Sequence, residues 1–212
     1  MLGSLVVGLV LLLLLAAQGR PLFYWGARAP VVAVPRTGEA AQAQVAEVHA
    51  AVDAGDLVLR FSFDRPVAGA LELPDGTPVS GRLSAVLYVD ADDDRGSGLA
   101  AGERDPRRGA ERRLELGSIY IGEDPPEQPK AAVVVRATLE SVASDGRRRT
   151  LWRADDQDVG RVSWRGEWVE LRVPEGRVGI GARARLILDD GPQAWDGRFD
   201  PAAGASSGAQ AR

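Results

Sequence analysis

The sequence predicts an all-β fold, a two-sheet antiparallel β-sandwich of jelly-roll-like build, preceded by one N-terminal hydrophobic helix. Three observations carry this reading. Beyond Ala43, apolar residues alternate with polar ones at period 2 or form short apolar runs. Turn residues break that pattern at short intervals, and no stretch of the body sustains a 3.6-residue periodicity.

The first element is apolar. From Leu2 to Ala17 every residue is apolar or small except Ser4, so the segment partitions into a bilayer. Its length falls between the about 7–15 residues of a signal-peptide core and the roughly 20 of a spanning helix, so residues 1–25 read as a signal peptide or a membrane anchor. Ala27-Arg28-Ala29 is a small-x-small site, but it lies far from the apolar run and Pro30 follows it. Phe23, Tyr24 and Trp25 form an aromatic cluster of the kind an uncleaved anchor places at a membrane interface. Arg20 and Arg28 follow the segment and no basic residue precedes it, which by charge alone favours a cytoplasmic C-terminus. The nature of the downstream domain favours export, and an extracytoplasmic location is the expectation.

Residues 26–42, rich in Ala, Pro and Gly, read as a linker, and residues 202–212 as a disordered tail. Between them, residues 43–201 suit one domain with one core. The predicted strands are Val45–Val52, Leu57–Phe63, Gly69–Leu73, Leu83–Val89, Arg112–Ile121, Ala131–Val142, Arg149–Ala154, Val159–Trp164, Trp168–Val173 and Ala184–Leu188. Ala54-Gly55-Asp56, Pro74-Asp75-Gly76, Ser144-Asp145-Gly146 and Arg165-Gly166-Glu167 supply turn chemistry between them. Alternation points Leu57, Leu59, Phe61 and Phe63 into the core, opposite Val58, Arg60 and Ser62, and sets Val169, Leu171 and Val173 against Trp168, Glu170 and Arg172. Leu83–Val89 is apolar on both faces apart from Ser84, which predicts a central strand that delivers Asp90 to a rim.

Composition narrows the function. Hydrophobic residues at 45% and charged residues at 26% are the balance of a chain that folds. A net charge of −4 with interleaved signs offers no basic stripe, which argues against nucleic acid as a partner. Lys130 is the single lysine among 26 basic residues, a bias we attribute to a GC-rich coding sequence. The absence of cysteine excludes disulfides, thiolate nucleophiles, thiolate metal ligands and a lipidated cysteine.

One loop stands out. Leu87-Tyr88-Val89-Asp90-Ala91-Asp92-Asp93-Asp94-Arg95-Gly96-Ser97-Gly98 places carboxylates at alternate positions directly after a buried strand. Like charges so close repel, a hard cation relieves the repulsion, and calcium takes six to eight oxygens of the kind that Asp-x-Asp-x-Asp converges on one point. The loop is no EF-hand, because glycine stands at the seventh loop position and Ala101 at the twelfth. The competing reading is a solvated turn whose aspartates cap local N–H groups, with Arg95 and Arg104 as counter-charges.

Leu87 to Asp92, then Gly96-Ser97-Gly98, then Gly109-Ala110-Glu111-Arg112-Arg113-Leu114-Glu115-Leu116 resembles a signature of exported bacterial β-sandwich domains akin to family 9 carbohydrate-binding modules and DOMON-like domains. In those, a strand ends in Asp-x-Asp, a Thr-Gly follows, and Gly-Ala-Asp-Tyr opens the next strand. Here Ser97 or Gly96-Ser97 stands for Thr-Gly, and Glu111-Arg112 for Asp-Tyr. Trp168 to Pro174 is similar to the family's strand ending in proline, and Arg198-Phe199-Asp200-Pro201 to its closing segment. The resemblance implies that the acidic loop and Glu111 sit together, with Asp90, Asp92, Asp94 and Glu111 as ligands of a structural calcium ion.

No enzyme is predicted. His49 is the only histidine, so no His-based triad or zinc cluster can be assembled, and no nucleophile elbow, phosphate loop or dinucleotide fingerprint occurs. A sugar-binding sandwich would use aromatic platforms, and Trp152, Trp164, Trp168 and Trp195 are the candidates. Trp164 and Trp168 flank one predicted turn and read either as a solvent-facing pair that stacks on a pyranose or as a hairpin-stabilising pair. The function that follows is an exported or membrane-tethered, non-catalytic module with a structural calcium site, acting in carbohydrate or cell-surface binding. The alternative is a structural or interaction domain that binds neither metal nor sugar.

Overall fold

The structure is a computed structural model and describes residues 23–26, 28–35, 42–73, 76–121, 132–189 and 193–202. The apolar run Leu2–Ala17, Ala27 of the small-x-small site, Pro74-Asp75 and nearly all of the tail lie outside these residues. Among the described residues no helix is long and apolar enough to cross a membrane.

Alternation along the chain builds the strands expected from it. In chain order they are β1 (Val32–Ala33), β2 (Val45–Asp53), β3 (Asp56–Phe63), β4 (Ser84–Asp90), β5 (Arg112–Ile121), β6 (Ala132–Val142), β7 (Arg148–Asp155), β8 (Val162–Arg165), β9 (Trp168–Pro174), β10 (Ala184–Asp189) and β11 (Ala194–Phe199). Two antiparallel sheets result: a five-stranded one in the order β1-β2-β3-β9-β8 and a six-stranded one in the order β11-β10-β4-β5-β6-β7. Leu57, Leu59, Phe61, Phe63, Val169, Leu171 and Val173 from the first share one core cluster with Leu87, Val89, Leu114, Leu116, Leu139 and Leu186 from the second. The arrangement is consistent with a β-sandwich. Each such side chain stabilises the fold by about 1.5–3 kcal/mol relative to exposure. As expected from its two apolar faces, β4 lies inside its sheet, between β10 and β5.

Three departures from the sequence expectation have local causes. The predicted strand Gly69–Leu73 is instead a short helix, α1 (Ala68–Leu71), whose Ala70 and Leu71 are buried. Its amides bond locally, Ala70 N–H to the Val67 carbonyl at 2.8 Å and Glu72 N–H to that of Ala68 at 3.1 Å, and extended pairing among the described residues here is confined to a single bridge between Glu72 and Pro78. A second short helix, α2 (Glu175–Val178), follows β9. The closing strand β11 escaped sequence reading because Asp196 and Gly197 interrupt its apolar pattern. Gly197 is there for close approach: a Cβ would overlap the Val31 carbonyl oxygen, which lies against the strand.

That contact belongs to the third departure. The stretch read as linker carries β1, paired with β2 through Val32–Val48 and Ala33–Glu47, with Val32 in the core. Upstream, Trp25 is 8% exposed and packs on Ala51 and Val58, on the outer face of the five-stranded sheet. Its indole Nε1–H donates to Glu170 Oε2 at 2.9 Å, and the Phe23 amide donates to Glu170 Oε1 at 3.2 Å. Glu170 is 2% exposed and also faces Arg172, whose Nη1 pairs with Asp53 at 2.8 Å. Two of the three aromatics read as a membrane-interface cluster are therefore packed on the domain, while Tyr24 is 87% exposed.

Candidate metal centre

Strand pairing brings the acidic residues together. β4 ends at Asp90, and β5 opens beside it, with the Glu111 amide bonded to the Val89 carbonyl at 3.1 Å. Carboxylate oxygens of Asp90, Asp92 and Glu111 all lie within 4.8 Å of one another. Asp90 is wholly buried, Glu111 half-buried and Asp92 exposed, so the cluster opens to solvent on the Asp92 side. The connecting loop folds back because Leu99 and Ala110 pair through their backbones and because Gly109, at φ +93°, lets the Asp94 carbonyl and Arg95 Cα approach where a Cβ would meet both at 2.8 Å.

Asp94, the fourth residue of the expected ligand set, contributes differently. Its carboxylate accepts from the Gly96 amide at 2.8 Å, while its own amide donates to Asp90 Oδ1 at 3.1 Å and Asp92 Oδ1 at 2.9 Å. The three carboxylates that converge are those of Asp90, Asp92 and Glu111, without Asp94.

Two residues that sequence reasoning did not assign complete the site. The Ser97 hydroxyl faces four oxygens: Asp92 Oδ1 at 3.2 Å, the Asp94 carbonyl at 2.8 Å, the Gly109 carbonyl at 3.4 Å and Glu111 Oε1 in a short contact. One hydroxyl proton serves one strong acceptor, so oxygens outnumber hydroxyl donors around Ser97, while N–H groups of Asp94, Ala91 and Arg185 donate to the same carboxylates, Ala91 to Glu111 Oε2 at 2.8 Å. The Gly-Ser-Gly spacing was the only sequence signal for it. Arg185 of β10 lies opposite Asp90 in the ladder and donates to Asp90 Oδ2 at 2.9 Å and to the Arg108 carbonyl at 2.7 Å. Nothing near the acidic loop in sequence signals this partner.

Burial pushes the Asp90 carboxyl above its ordinary value of 3.8; Arg185 pulls it down, and Glu111 and Asp92 push it further up. A folded-state value above the unfolded one means that the protonated form favours folding. The stability associated with protonated Asp90 is complete below 3.8 and is lost as pH rises through the folded value, and a nearby cation would favour the ionised form. Farther along the loop, the Arg107 guanidinium holds the Asp105 carboxyl below its ordinary range and also pairs with Asp189 of β10 at 3.2 Å.

The tryptophans form no common platform. Trp164 lies opposite Val169, a core residue, and Trp168 opposite Arg165. Neighbours along a strand alternate faces, so Trp164 and Trp168 are on opposite faces of the sheet and the expected cross-strand pair is not built. Trp164, 36% exposed, donates its Nε1–H to Asp156 at 2.9 Å. Trp168 lies on the outer face with the Arg60 guanidinium 5.0 Å from its ring centre. Trp152 and Trp195 pack partly buried against the core. His49 is largely buried, with Nε2 3.1 Å from Glu47 and its ring edge-on to Trp25.

No protein-family model, no curated protein and no solved structure matches this chain.

Proposed function

We propose that the protein is a non-catalytic extracytoplasmic binding module: a jelly-roll-like two-sheet sandwich, exported or membrane-tethered through its N-terminal apolar segment, stapled by one calcium ion and acting in carbohydrate or cell-surface binding. The observation that carries the calcium is the convergence of the Asp90, Asp92 and Glu111 carboxylates, with the Ser97 hydroxyl and the Asp94 and Gly109 carbonyls beside them. The donor set is all hard oxygen, which suits calcium over zinc or copper. Bound there, the ion would tie the long acidic loop to the start of β5, a structural role. The resemblance to family 9 carbohydrate-binding modules and DOMON-like domains supports the same reading.

Calcium at 100-fold over its Kd is expected to add about 2.7 kcal/mol, or roughly 5–10 °C in Tm for a domain of this size. Thermal melts of the full chain in EDTA and in calcium measure this. The gain should vanish in Asp90→Asn and should shrink on acidification through the raised Asp90 value, because protonation removes a ligand. An unchanged Tm between EDTA and millimolar calcium rejects the site.

One observation favours the alternative, a structural or interaction domain that holds no metal: Arg185 already supplies Asp90 with a positive charge. The sugar-binding element of the proposal rests on Trp164, the tryptophan with an exposed ring held in place by Asp156. A glycan array should give hits that Trp164→Ala abolishes and Trp168→Ala leaves; hits indifferent to both, or none, reject it.

A further inference from the structure

We propose that the outer face of the five-stranded sheet, at the patch carrying Tyr24, Trp168 and Arg165, rests on the lipid surface from which the N-terminal apolar segment emerges. This rests on the membrane-tethered reading above and assigns the face that meets the bilayer. The docking point is fixed by the chain itself, since Glu170 on the outer face of β9 holds both the Phe23 amide and the Trp25 indole. Only Gln18 to Leu22 lie between Ala17, where the apolar run ends, and Phe23. At about 3.5 Å per residue such a tether spans at most about 20 Å. A domain of this length has a radius of gyration of about 16 Å and is about 40 Å across. The tether is thus too short to carry the domain round onto its six-stranded side, and the face bearing Phe23 is held toward the bilayer.

The chemistry of that face suits lipid headgroups. Tyr24 projects beside the docked Phe23, 87% exposed. Arg28 lies 5.0 Å from the Phe23 ring centre and Arg60 5.0 Å from that of Trp168. Trp168 precedes Glu170 by two residues, about 7 Å along the strand, and Arg60 lies opposite Glu170. Aromatic rings with guanidinium groups beside them belong at the interface, the rings at headgroup level and the cations toward phosphate. On this face Asp53 pairs with Arg172 and Asp56 with Arg161, Glu170 lies 3.6 Å from the same Arg172, and Glu47 lies beside His49, whereas Arg60 and Arg165 have no carboxylate partner among the described residues. Arg60 and Arg165, with Arg28 beside Phe23, are the cations this patch would bring to an anionic surface.

The absence of cysteine makes the test direct. Full-length Tyr24→Cys, Arg165→Cys and Glu115→Cys proteins, the last on the outer face of the six-stranded sheet, are labelled with bimane and reconstituted into phosphatidylcholine–phosphatidylglycerol vesicles containing headgroup-nitroxide lipid. Flotation reports tethering, and quenching reports proximity to the surface. The expected result is flotation of all three, with the labels at positions 24 and 165 quenched several-fold more than the label at 115. Flotation with position 24 or 165 quenched no more than 115 overturns the assigned face and leaves the tether standing. Failure to float overturns the tether, and the surface with it.

Discussion

Trp25→Ala is expected to destabilise the domain by about 3–5 kcal/mol, the range for truncating a buried tryptophan, which for a domain of this size lowers Tm by roughly 10 °C. Two losses combine. The indole packs on Ala51 and Val58 with Phe23 edge-on at 4.9 Å, and its removal leaves a void over the sheet. Its N–H also serves Glu170, a carboxylate 2% exposed, so truncation leaves a buried charge short of a donor. Trp25→Phe separates the two, retaining much of the packing and losing only the hydrogen bond, so its cost should be smaller. Thermal and urea melts of the full chain in detergent measure both. If Trp25→Ala melts with the wild type, residues 23–25 are a dispensable linker and the packed arrangement is wrong. The same contact bears on processing: cleavage at Ala27-Arg28-Ala29 would remove Trp25 and its bond to Glu170 from the domain.

Arg185→Met should cost about 3–5 kcal/mol in EDTA, the loss expected when one partner of a buried ion pair is removed. Arg185 is 6% exposed and Asp90 fully buried, so the variant strands a carboxylate whose other neighbours, Asp92 and Glu111, are themselves acidic. Methionine keeps much of the volume, which confines the effect to charge and hydrogen bonding. Adding Asp90→Asn to the variant should recover most of the loss, since removing both charges costs less than removing one. Calcium then discriminates between the two readings of the loop. If the pocket holds the ion, calcium raises the Tm of Arg185→Met by more than that of the wild type, because the metal supplies the charge the arginine gave. If Arg185 is the only counter-ion the loop uses, calcium leaves the variant as unstable as EDTA does.

Much of this architecture was legible along the chain. Period-2 alternation placed Phe61 and Val169 in the core, and the two apolar faces of Leu83–Val89 placed that strand inside its sheet. The Asp-x-Asp and Gly-Ala-Glu motifs singled out three of the carboxylates that converge. Other features were hidden because their cause lies far away in sequence. Trp25 and Glu170 are 145 residues apart, so nothing beside the aromatic trio in sequence shows that Trp25 packs on the sheet. Arg185 reaches Asp90 across 95 residues through a pairing of β4 with β10 that neither strand announces. Trp164 and Trp168 flank one turn, yet a register that sets Trp164 against Val169 sends their rings to opposite faces.

By itself, the sequence determined most of the strands, among them β2 to β6 and β9, which side of β3 and β9 faces the core, and which loop concentrates negative charge. These follow from periodicity and composition, and neighbouring residues carry both. Only the tertiary structure decided which carboxylates converge, that Ser97 and Arg185 join them, that Asp94 turns to its own backbone, and that the segment before β1 closes over Glu170. Those outcomes depend on inter-strand register, where a slip of one residue reverses every side chain, and register is settled by the packing of the whole core.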